Sequence, residues 1–279
     1  MFRLSADPTG DKSPLVIAGD RRAVLCLHGI TGTPWEVRPL AECFGRLGCT
    51  VEAPTLAGHG GSLADLAGST WQDWLASAEA ALTRLEAQVA GGPGPAPPVA
   101  IAGFSMGGLL ALRLARLYPE RVSALAVMCA PLRLRPFQVM GIRLVGRLPI
   151  DFARRPLAAV PKLFGSDISD PAMRAENPTL HAFPIAALGN LLDLMDTVRA
   201  DLPAVRQPML VVHGRQDHTV PMDDSLELTG SVGSDVIERL WLERSFHIVA
   251  QDVERATVVE AVTRFIGKHA GWANQPVVP

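Results

Sequence analysis

Short apolar runs alternate with amphipathic segments along most of the chain. The runs are Leu15–Ala18, Ala23–Leu27, Thr50–Ala53, Val99–Ala102, Ala124–Cys129, Met209–Val212 and Val236–Leu242. Nearly every position in them is apolar, which is typical of strands that are covered on both faces. Because helical segments separate most of the runs, the pattern predicts βαβ units and a mostly parallel sheet.

The segments between the runs carry helical spacing and helix boundary signals. The predicted helices are Pro34–Leu47, Trp71–Val89, Met106–Leu117 and Asp252–His269. Thr33 is expected to be the N-cap of the first helix, with Pro34 at its first position. Thr70 and Asp73 have the spacing of a capping box at the start of the second.

One long region interrupts the alternation of strands and helices. From Pro131 to about Leu202 the pattern predicts helices and no strand. Its periodicity is too regular for a plain loop of that length. We therefore predict a helical cap, residues 131–202, here named the cap segment. Residues 1–130 and 203–279 are predicted to form the α/β core.

Composition and charge narrow the classes of function. The chain has 279 residues, of which 48% are hydrophobic and 19% charged, as in a globular protein with a large core. Its net charge of −2 gives no general attraction to nucleic acid or anionic membranes. No apolar run reaches the roughly 18 residues of a membrane span, and no signal peptide is recognisable. We expect no nucleic-acid partner and no integral membrane association.

The cysteines and histidines form no metal-binding pattern. Cys26, Cys43, Cys49 and Cys129 form no CxxC pair, and there is no HExxH motif or EF-hand loop. Free buried thiols in the reducing cytoplasm are the expectation. We expect no metal site and no cofactor. The oligomeric state is left open by the sequence.

The sharpest local motif is Gly103-Phe104-Ser105-Met106-Gly107, between a predicted strand and a predicted helix. A nucleophile at such a turn needs small residues two positions away on either side, because the backbone bends sharply there. The helix N-terminus behind Ser105 would also stabilise a developing negative charge. A glycine-rich structural turn is the alternative. The partners described next favour Ser105 as a nucleophile.

A serine nucleophile needs an adjacent base that a third group orients. Asp217 and His247 each follow a predicted strand, so both lie beyond strand C-termini, where open α/β sheets bind ligands. We predict His247 as the general base and acid, and Asp217 as the orienting carboxylate. The competing acids Asp223 and Asp224 are expected in the first turn of the next helix.

Backbone N–H groups after an early strand are expected to complete an oxyanion hole. The predicted strand Ala23–Leu27 runs into His28-Gly29-Ile30-Thr31-Gly32, in which the glycines let the backbone turn toward the site. We predict that the N–H groups of Ile30 and Met106 bind the oxyanion. His28 is expected to hold this loop and not to carry a proton.

Three long segments and a short one carry a resemblance to a known superfamily. They are HGITGTPWEVRPLAECFGRLGCTVEAPTLAGHG, AIAGFSMGGLLALRLARLYPERVSALAVMCAPL, LVVHGRQDHTVP and, near the end, SFHIV. The chain resembles the α/β-hydrolase superfamily and is similar, more narrowly, to bacterial carboxylesterases and monoacylglycerol lipases of the thermophilic small-esterase type. The match runs from about Val16 to His269 and weakens across the cap segment.

The resemblance implies an α/β-hydrolase fold with a mostly parallel eight-stranded sheet flanked by helices. It also implies a helical cap inserted after the sixth strand, a Ser–Asp–His triad and no cofactor. Phe246 departs from the family pattern, in which Gly or another small or polar residue usually precedes the catalytic His. We expect its ring to reshape the leaving-group side of the pocket.

Several residues are predicted to line the substrate pocket. They are Gly29, Phe104, His59, Phe137, Phe246 and Ile248. Phe104, Met106 and Ile30 beside the nucleophile would form an apolar inner wall for an acyl chain. His59 follows the predicted strand Thr50–Ala53 and lies near the pocket mouth, where bracing of the loop is the favoured role.

The first half of the cap segment is apolar and basic. Between Arg133 and Lys162 it holds seven basic side chains and one acid, Asp151. It could cover the active site with one apolar face and solvate its arginines on the other. It could also make transient contact with lipid, or form a rim that attracts the phosphates of acyl-CoA. The sequence leaves these three interpretations open.

Together these features predict a serine hydrolase that cleaves carboxylic esters through an acyl-enzyme on Ser105. Its expected substrate is a small-molecule ester or lipid, such as a medium-chain ester or a monoacylglycerol. An acyl thioesterase or acyltransferase with the same triad is the first alternative. A catalytically silent hydrolase fold that binds a ligand is the second.

Overall fold

A mostly parallel seven-stranded sheet organises the residues that the computed structural model describes, namely 10–90, 96–133, 140, 142, 159–162 and 165–272. The strands are β1 (Leu15–Ile17), β2 (Ala23–Leu27), β3 (Thr50–Ala53), β4 (Val99–Phe104), β5 (Val122–Met128), β6 (Met209–Gly214) and β7 (Ile237–Leu242). Their order across the sheet is β1-β3-β2-β4-β5-β6-β7. β1 pairs antiparallel with β3, and the other neighbours are parallel.

The seven strands coincide with the seven apolar runs of the sequence. The eighth strand that the resemblance implied is not found in the described part of the chain. Within the described residues, the cap segment follows the fifth strand of this sheet. Each apolar run of the sequence thus marks one strand of the described sheet.

Eight helices have described bounds. They are α1 (Arg38–Arg46), α2 (Leu63–Ala67), α3 (Trp71–Val89), α4 (Met106–Leu117), α5 (Pro171–Glu176), α6 (Ile185–Asp201), α7 (Met222–Ser231) and α8 (Arg255–His269). The predicted capping box at α3 is confirmed: Thr70 Oγ1 accepts from the Asp73 N–H at 3.3 Å, and Asp73 Oδ2 accepts from the Thr70 N–H at 2.8 Å. α3 and α4 have the predicted bounds.

The predicted helix Pro34–Leu47 is divided in the structure. Residues Pro34–Val37 form a 3-10 turn, and α1 begins only at Arg38. Pro39 explains the division, because it lacks the N–H that would bond to the Trp35 carbonyl and its ring clashes with that carbonyl in a continuous α-helix. Thr33 precedes the turn in an extended conformation and makes no side-chain capping hydrogen bond.

The last helix begins three residues later than predicted, at Arg255. Asp252 has an extended backbone, and its carboxylate accepts hydrogen bonds from the N–H groups of Ser169 and Phe246. Because its carboxylate binds backbone N–H groups of other segments, Asp252 stabilises those segments and is not part of the helix that follows it. Asp252 thereby joins the cap segment to the loop that precedes His247.

The sheet separates two apolar clusters. Alternate residues of a strand point to opposite faces, so that Leu25 packs in one cluster and Cys26 in the other. The first cluster includes Trp74 of α3 and residues of α4 and α6, and the second includes Phe44 of α1 and residues of α8. Burial of each such large side chain contributes about 1.5–3 kcal/mol.

The cap segment contains a two-stranded antiparallel ribbon, named here the cap ribbon, which the sequence pattern did not predict. Its strands are Ala159–Pro161 and Ala182–Pro184. Strands of three residues that end in proline are too short for an alternation to be recognised. α5 and α6 are helices, as the sequence predicted for the cap segment.

Four stretches of the cap segment lie outside the described residues, namely 134–139, 141, 143–158 and 163–164. They include Phe137 and most of the predicted Arg-rich helix.

Two features of the fold bear directly on the site. β2 and β4 are neighbours and pair Leu27 with Gly103, so the loops after them begin side by side. The chain order reverses between these strands, and such a point in an open α/β sheet forms a crevice for ligands.

No helix within the described ranges is long and apolar enough to cross a lipid bilayer.

Candidate active site

Ser105 occupies the sharp turn between β4 and α4. Its backbone lies in the left-handed region (φ 52°, ψ −120°), and its N–H donates to the Met128 carbonyl on β5 at 2.8 Å. A Cβ at Gly103 would collide with the carbonyl of Gly107, and a Cβ at Gly107 with that of Leu27. The backbone itself therefore imposes the small residues of the motif. A residue in such a strained backbone conformation costs about 1–3 kcal/mol of folding free energy and is typical of active sites.

The structure brings together the three residues predicted as a triad. His247 Nε2 lies 3.2 Å from Ser105 Oγ, and His247 Nδ1 lies 2.7 Å from Asp217 Oδ2. Ser105 and His247 are buried, at 5% and 7% exposure. With the imidazole neutral, Nδ1–H donates to the carboxylate and leaves Nε2 free to accept the serine proton. This is the geometry of an activated nucleophile.

The loop after β6 holds Asp217 in place. Asp217 Oδ1 accepts hydrogen bonds from the N–H groups of Thr219 at 2.8 Å and Val220 at 2.7 Å. His213 lies beneath it, with Nε2 bonded to the Val220 carbonyl at 3.1 Å and Nδ1 to Ser225 Oγ at 2.6 Å. Both ring nitrogens of His213, at the end of β6, are therefore hydrogen-bonded.

The competing acids lie elsewhere. Asp223 and Asp224 are in the first turn of α7, as predicted. Asp224 Oδ2 accepts hydrogen bonds from the N–H groups of Leu132 at 2.8 Å and Arg133 at 3.2 Å. Its carboxylate thus binds the start of the cap segment.

The acid and the base of the triad stabilise each other's charged forms. Burial opposes ionisation of Asp217, but the charge and hydrogen bond of His247 outweigh it and hold the pKa of Asp217 below its usual value. Burial likewise opposes protonation of His247, but the nearby Asp217 carboxylate raises the pKa of His247 above its usual value. An imidazolium formed during a reaction would therefore be stabilised where it arises.

Cys129 is a neighbour of the triad that the sequence assigned only to a buried strand. It follows β5 with a left-handed backbone (φ 48°), and its N–H donates to the Val212 carbonyl at 2.9 Å. Its thiol lies within 4.8 Å of ligand atoms of Asp217 and His247. Burial raises the pKa of this thiol well above its usual value, so Cys129 is a neutral packing group and not a second nucleophile.

The loop after β2 has one peptide held in a defined orientation. The Gly29 carbonyl accepts from His28 Nδ1 at 2.9 Å and from the Gly32 N–H at 3.2 Å, while His28 Nε2 accepts from the Leu56 N–H at 3.2 Å. Burial lowers the pKa of His28 to about 3, so its imidazole is neutral. In a trans peptide the N–H points away from the carbonyl. The Ile30 N–H is therefore fixed by the bonds to Gly29.

A cavity of about 660 Å³ opens above Ser105. This volume is typical of pockets for small molecules. Its walls combine apolar side chains of the core with residues of the cap segment. The lining includes Ile30, Thr31, Glu36, Phe104, Ser105, Lys162, Asp167, Arg174, Phe183, His218, Phe246, His247 and Ile248. The arrangement exposes the Ser105 hydroxyl to a largely apolar pocket.

Comparison with known proteins identifies the family. The model of a family described as serine aminopeptidase, S33, matches residues 19–254. The chain belongs to this family. The S33 hydrolase is thus an α/β hydrolase, in agreement with the resemblance that its sequence carries.

Two relatives of this S33 hydrolase are named as a lipase and a carboxylesterase. It is 31% identical over 248 residues to the thermostable monoacylglycerol lipase of Bacillus sp. (strain H-257), covering 89% of this chain and 91% of that protein. It is 28% identical over 257 residues to the carboxylesterase of Bacillus subtilis (strain 168), covering 91% and 96%.

A solved structure gives the same indication. The structure reported for the metagenome-derived lipolytic enzymes LipS and LipT matches with a TM-score of 0.82 and 32% identity, covering 92% of this chain and 98% of that one. The structure of the Paleococcus ferrophilus monoacylglycerol lipase, at 15% identity and a TM-score of 0.74, shares the fold. The S33 hydrolase is a carboxylic ester hydrolase of the lipase and esterase type.

The predicted pocket residues differ in where they lie. Phe104, Phe246 and Ile248 line the cavity, whereas Gly29 and His59 are not among its lining residues. His59 packs edge-on between the rings of His28 and Trp74, at centroid distances of 5.0 and 5.8 Å, and bonds through Nδ1 to the Ala57 carbonyl. His59 is thus buried against its neighbours in the loop, and both the bracing role and the substrate contact stay predictions. Phe137 lies outside the described residues.

Four charged residues of the cavity wall were not predicted as site residues. They are Glu36, Lys162, Asp167 and Arg174. None of them stands in a recognisable motif, and the fold places them on the wall of the cavity that contains Ser105 and His247. Glu36 lies within the predicted helix Pro34–Leu47 and is 3% exposed in the structure.

Proposed function

We propose that this S33 hydrolase cleaves carboxylic esters with apolar acyl chains, monoacylglycerols among them, through an acyl-enzyme on Ser105. The observation that carries the proposal is the hydrogen-bonded series from Ser105 Oγ through His247 to Asp217, at the floor of a largely apolar cavity. The similarity to monoacylglycerol lipases and carboxylesterases supports the same substrate class.

Acylation begins when His247 Nε2 accepts the proton of Ser105 Oγ as that oxygen bonds to the ester carbonyl carbon. The carbonyl oxygen becomes an oxyanion that the N–H groups of Ile30 and Met106 bind. Collapse of this intermediate breaks the bond to the alcohol oxygen. His247 returns its proton to that oxygen, and the alcohol leaves while the acyl group stays on Ser105.

Deacylation repeats these steps with water. His247 Nε2 takes a proton from water as the water oxygen attacks the acyl carbon, and the oxyanion forms again at the same N–H groups. Collapse breaks the bond to Ser105 Oγ, which regains the proton from His247. The carboxylic acid is released and the enzyme is restored without any net redox change.

The test is a kcat/KM series on p-nitrophenyl esters with acyl chains from C2 to C16. Monoacylglycerol and acyl-CoA of the preferred chain length are measured beside it. Ser105→Ala provides the blank, and Ser123→Ala, on β5 away from the triad, is the matched control. We expect several orders of magnitude of activity to be lost in the Ser105 variant and none in the control.

The outcomes separate the candidate reactions. A maximum at one chain length, with turnover of the matching monoacylglycerol, supports the proposal. A strong preference for acyl-CoA that is lost at high salt would favour a thioesterase instead. If a fluorophosphonate probe fails to label Ser105 in folded protein, the fold is a ligand-binding one and the proposal is wrong.

A further inference from the structure

The two neighbours of Ile30 in the chain are each hydrogen-bonded to a charged side chain, one acidic and one basic. On one side, the Gly29 N–H donates to Glu36 Oε2 at 2.8 Å. On the other, Lys162 Nζ donates to Thr31 Oγ1 at 2.7 Å. Glu36 belongs to the core and Lys162 to the cap segment. The peptide predicted to bind the oxyanion is therefore held from both sides of the pocket.

The acidic side of this arrangement is closely packed. The Glu36 carboxyl group occupies the space that side chains at Gly29 and Gly32 would otherwise fill, since a Cβ at Gly32 would collide with the Glu36 carboxyl oxygens. The Gly29 position is confined less severely: a Cβ there would lie 3.1 Å from Ser105 Cβ and 3.2 Å from Glu36 Oε2. Glu36 thus supports the loop directly beside the nucleophile.

The basic side reaches the loop from the end of the cap ribbon. Lys162 Nζ also donates to Thr179 Oγ1 at 2.8 Å and lies 4.8 Å from the Phe183 ring centroid. Thr31 has a left-handed backbone (φ 63°), which is uncommon for a β-branched residue. Its carbonyl accepts from Thr179 Oγ1 and from the Leu180 N–H, each at 3.0 Å. Contacts with the cap segment maintain this strained residue.

The two charges act on each other inside the protein. Burial raises the pKa of Glu36 to about 7, although the Gly29 N–H and the charges of Lys162 and His247 lower it. Burial lowers the pKa of Lys162 to about 8, although Glu36 raises it. Thr31, Thr179 and Phe183 are the other groups in contact with the ammonium. Each group therefore favours the charged form of the other, against the burial that disfavours both charges.

We propose that Glu36 and Lys162 are positioning residues that hold the oxyanion loop through Gly29 and Thr31, so that the core and the cap segment jointly set the direction of the Ile30 N–H. The proposal rests on the proposed function, because it assigns the Ile30 N–H to the oxyanion. Neither residue transfers a proton. Their effect is on the transition state, in which the oxyanion exists, and only weakly on substrate binding.

The test compares Glu36→Gln, Lys162→Met and the double variant with wild type. Glu52→Gln is the matched control, because Glu52 is 3% exposed, as Glu36 is. Glu52 is paired with Arg84 and lies on β3, remote from Ser105. For each single variant we expect kcat to fall about tenfold or more while KM changes less than threefold. In the double variant the loss should be smaller than the product of the two single losses, because the residues act on one loop.

The dependence of kcat on pH distinguishes a positioning role of Lys162 from a merely structural one. In wild type, kcat should fall as pH rises above about 8, where Lys162 loses its proton. That alkaline limb should be absent in Lys162→Met. Because this comparison needs only wild type and one variant, it remains decisive if Glu36→Gln does not fold. Circular dichroism and thermal unfolding report whether each variant is folded.

Three results for the single variants would overturn the proposal. They are an unchanged kcat in both folded single variants, a loss no greater than that of Glu52→Gln, and an alkaline limb that persists in Lys162→Met. Independent losses that multiply in the double variant would also contradict a shared role. The proposed function is tested separately by Ser105→Ala. If that variant is inactive while the Glu36 and Lys162 variants behave as wild type, only the positioning role is wrong.

Discussion

The main-chain carbonyl of Asp167 accepts a hydrogen bond from the N–H of His247 at 3.1 Å. The side chain of the same aspartate accepts from the His218 N–H at 3.0 Å and from Thr219 Oγ1 at 2.8 Å, next to Asp217. One residue of the cap segment thus binds both the loop of His247, the predicted base, and the loop of Asp217, the predicted acid.

Replacement of Asp167 by Ala should loosen the acid loop and leave the backbone bond to His247 in place. We expect kcat to fall about tenfold, because small displacements of catalytic groups are costly. Steady-state kinetics and thermal unfolding check this prediction. Asp193→Ala, which removes an exposed aspartate from α6 in the same cap segment, is the control. Equal kcat values for the two variants would show that the loop does not need the Asp167 side chain.

Activity should depend on pH through His247. Its pKa is raised above the usual value mainly because the Asp217 carboxylate overcomes the effect of burial, and only the neutral imidazole accepts the serine proton. Therefore kcat/KM should decline as pH falls through that raised pKa. A pH–rate profile between pH 5 and 8 measures the limb. A rate that stays constant down to pH 5 would rule out His247 as the base.

Asp217→Asn should both slow the reaction and move this acid limb. We expect kcat to fall by about 10⁴, since the amide no longer fixes the tautomer of His247 or stabilises its charged form. The limb should shift to lower pH, because the charge that raises the pKa of His247 is gone. The same pH–rate measurement on the variant tests both effects. A limb at the wild-type position would mean that another group controls it.

Phe246 should govern the size of the leaving group. Its ring lines the cavity and packs edge-on against His218 at a centroid distance of 4.6 Å, while its N–H is held by Asp252 at 2.8 Å. Phe246→Gly should therefore enlarge the pocket without displacing the backbone before His247. We expect kcat/KM for esters of bulky alcohols to rise relative to methyl esters, by about 10-fold at most for a contact of this size. An unchanged ratio would place the leaving group elsewhere.

Asp224→Ala should destabilise the fold more than it affects catalysis. The substitution leaves the N–H groups of Leu132 and Arg133 without their carboxylate acceptor, which we expect to cost about 1–3 kcal/mol in the free energy of unfolding. Asp223→Ala, its exposed neighbour on the same turn of α7, is the control and should cost less than about 0.5 kcal/mol. Urea unfolding measures both, and equal stabilities would contradict the role assigned to Asp224.

The strands and the strand-to-helix turn at Ser105 follow from the sequence for local reasons. A short apolar run between turn residues favours a buried strand, because it is too short for a helix of ordinary length and pairing with neighbouring strands satisfies its backbone. Gly103 and Gly107 mark the turn because a side chain at either position would strike neighbouring backbone. Thr70 and Asp73 mark the start of α3 by bonds that lie within one helical turn. Each of these signals acts over a few residues and is therefore visible in the chain.

What only the tertiary structure decided depends on contacts between distant segments. The 3.2 Å approach of His247 to Ser105 joins residues 142 positions apart, although their order along the chain had suggested it. Glu36, Lys162 and Asp167 gave almost no signal, because a charged residue acquires a role beside the triad only when burial surrounds it with particular partners. The cap ribbon was missed for a related reason: three-residue strands are stabilised by the partner strand and not by their own pattern. The sequence determined by itself the sheet, the order of its strands along the chain and the three residue types of the triad, whereas folding alone decided which charges support them.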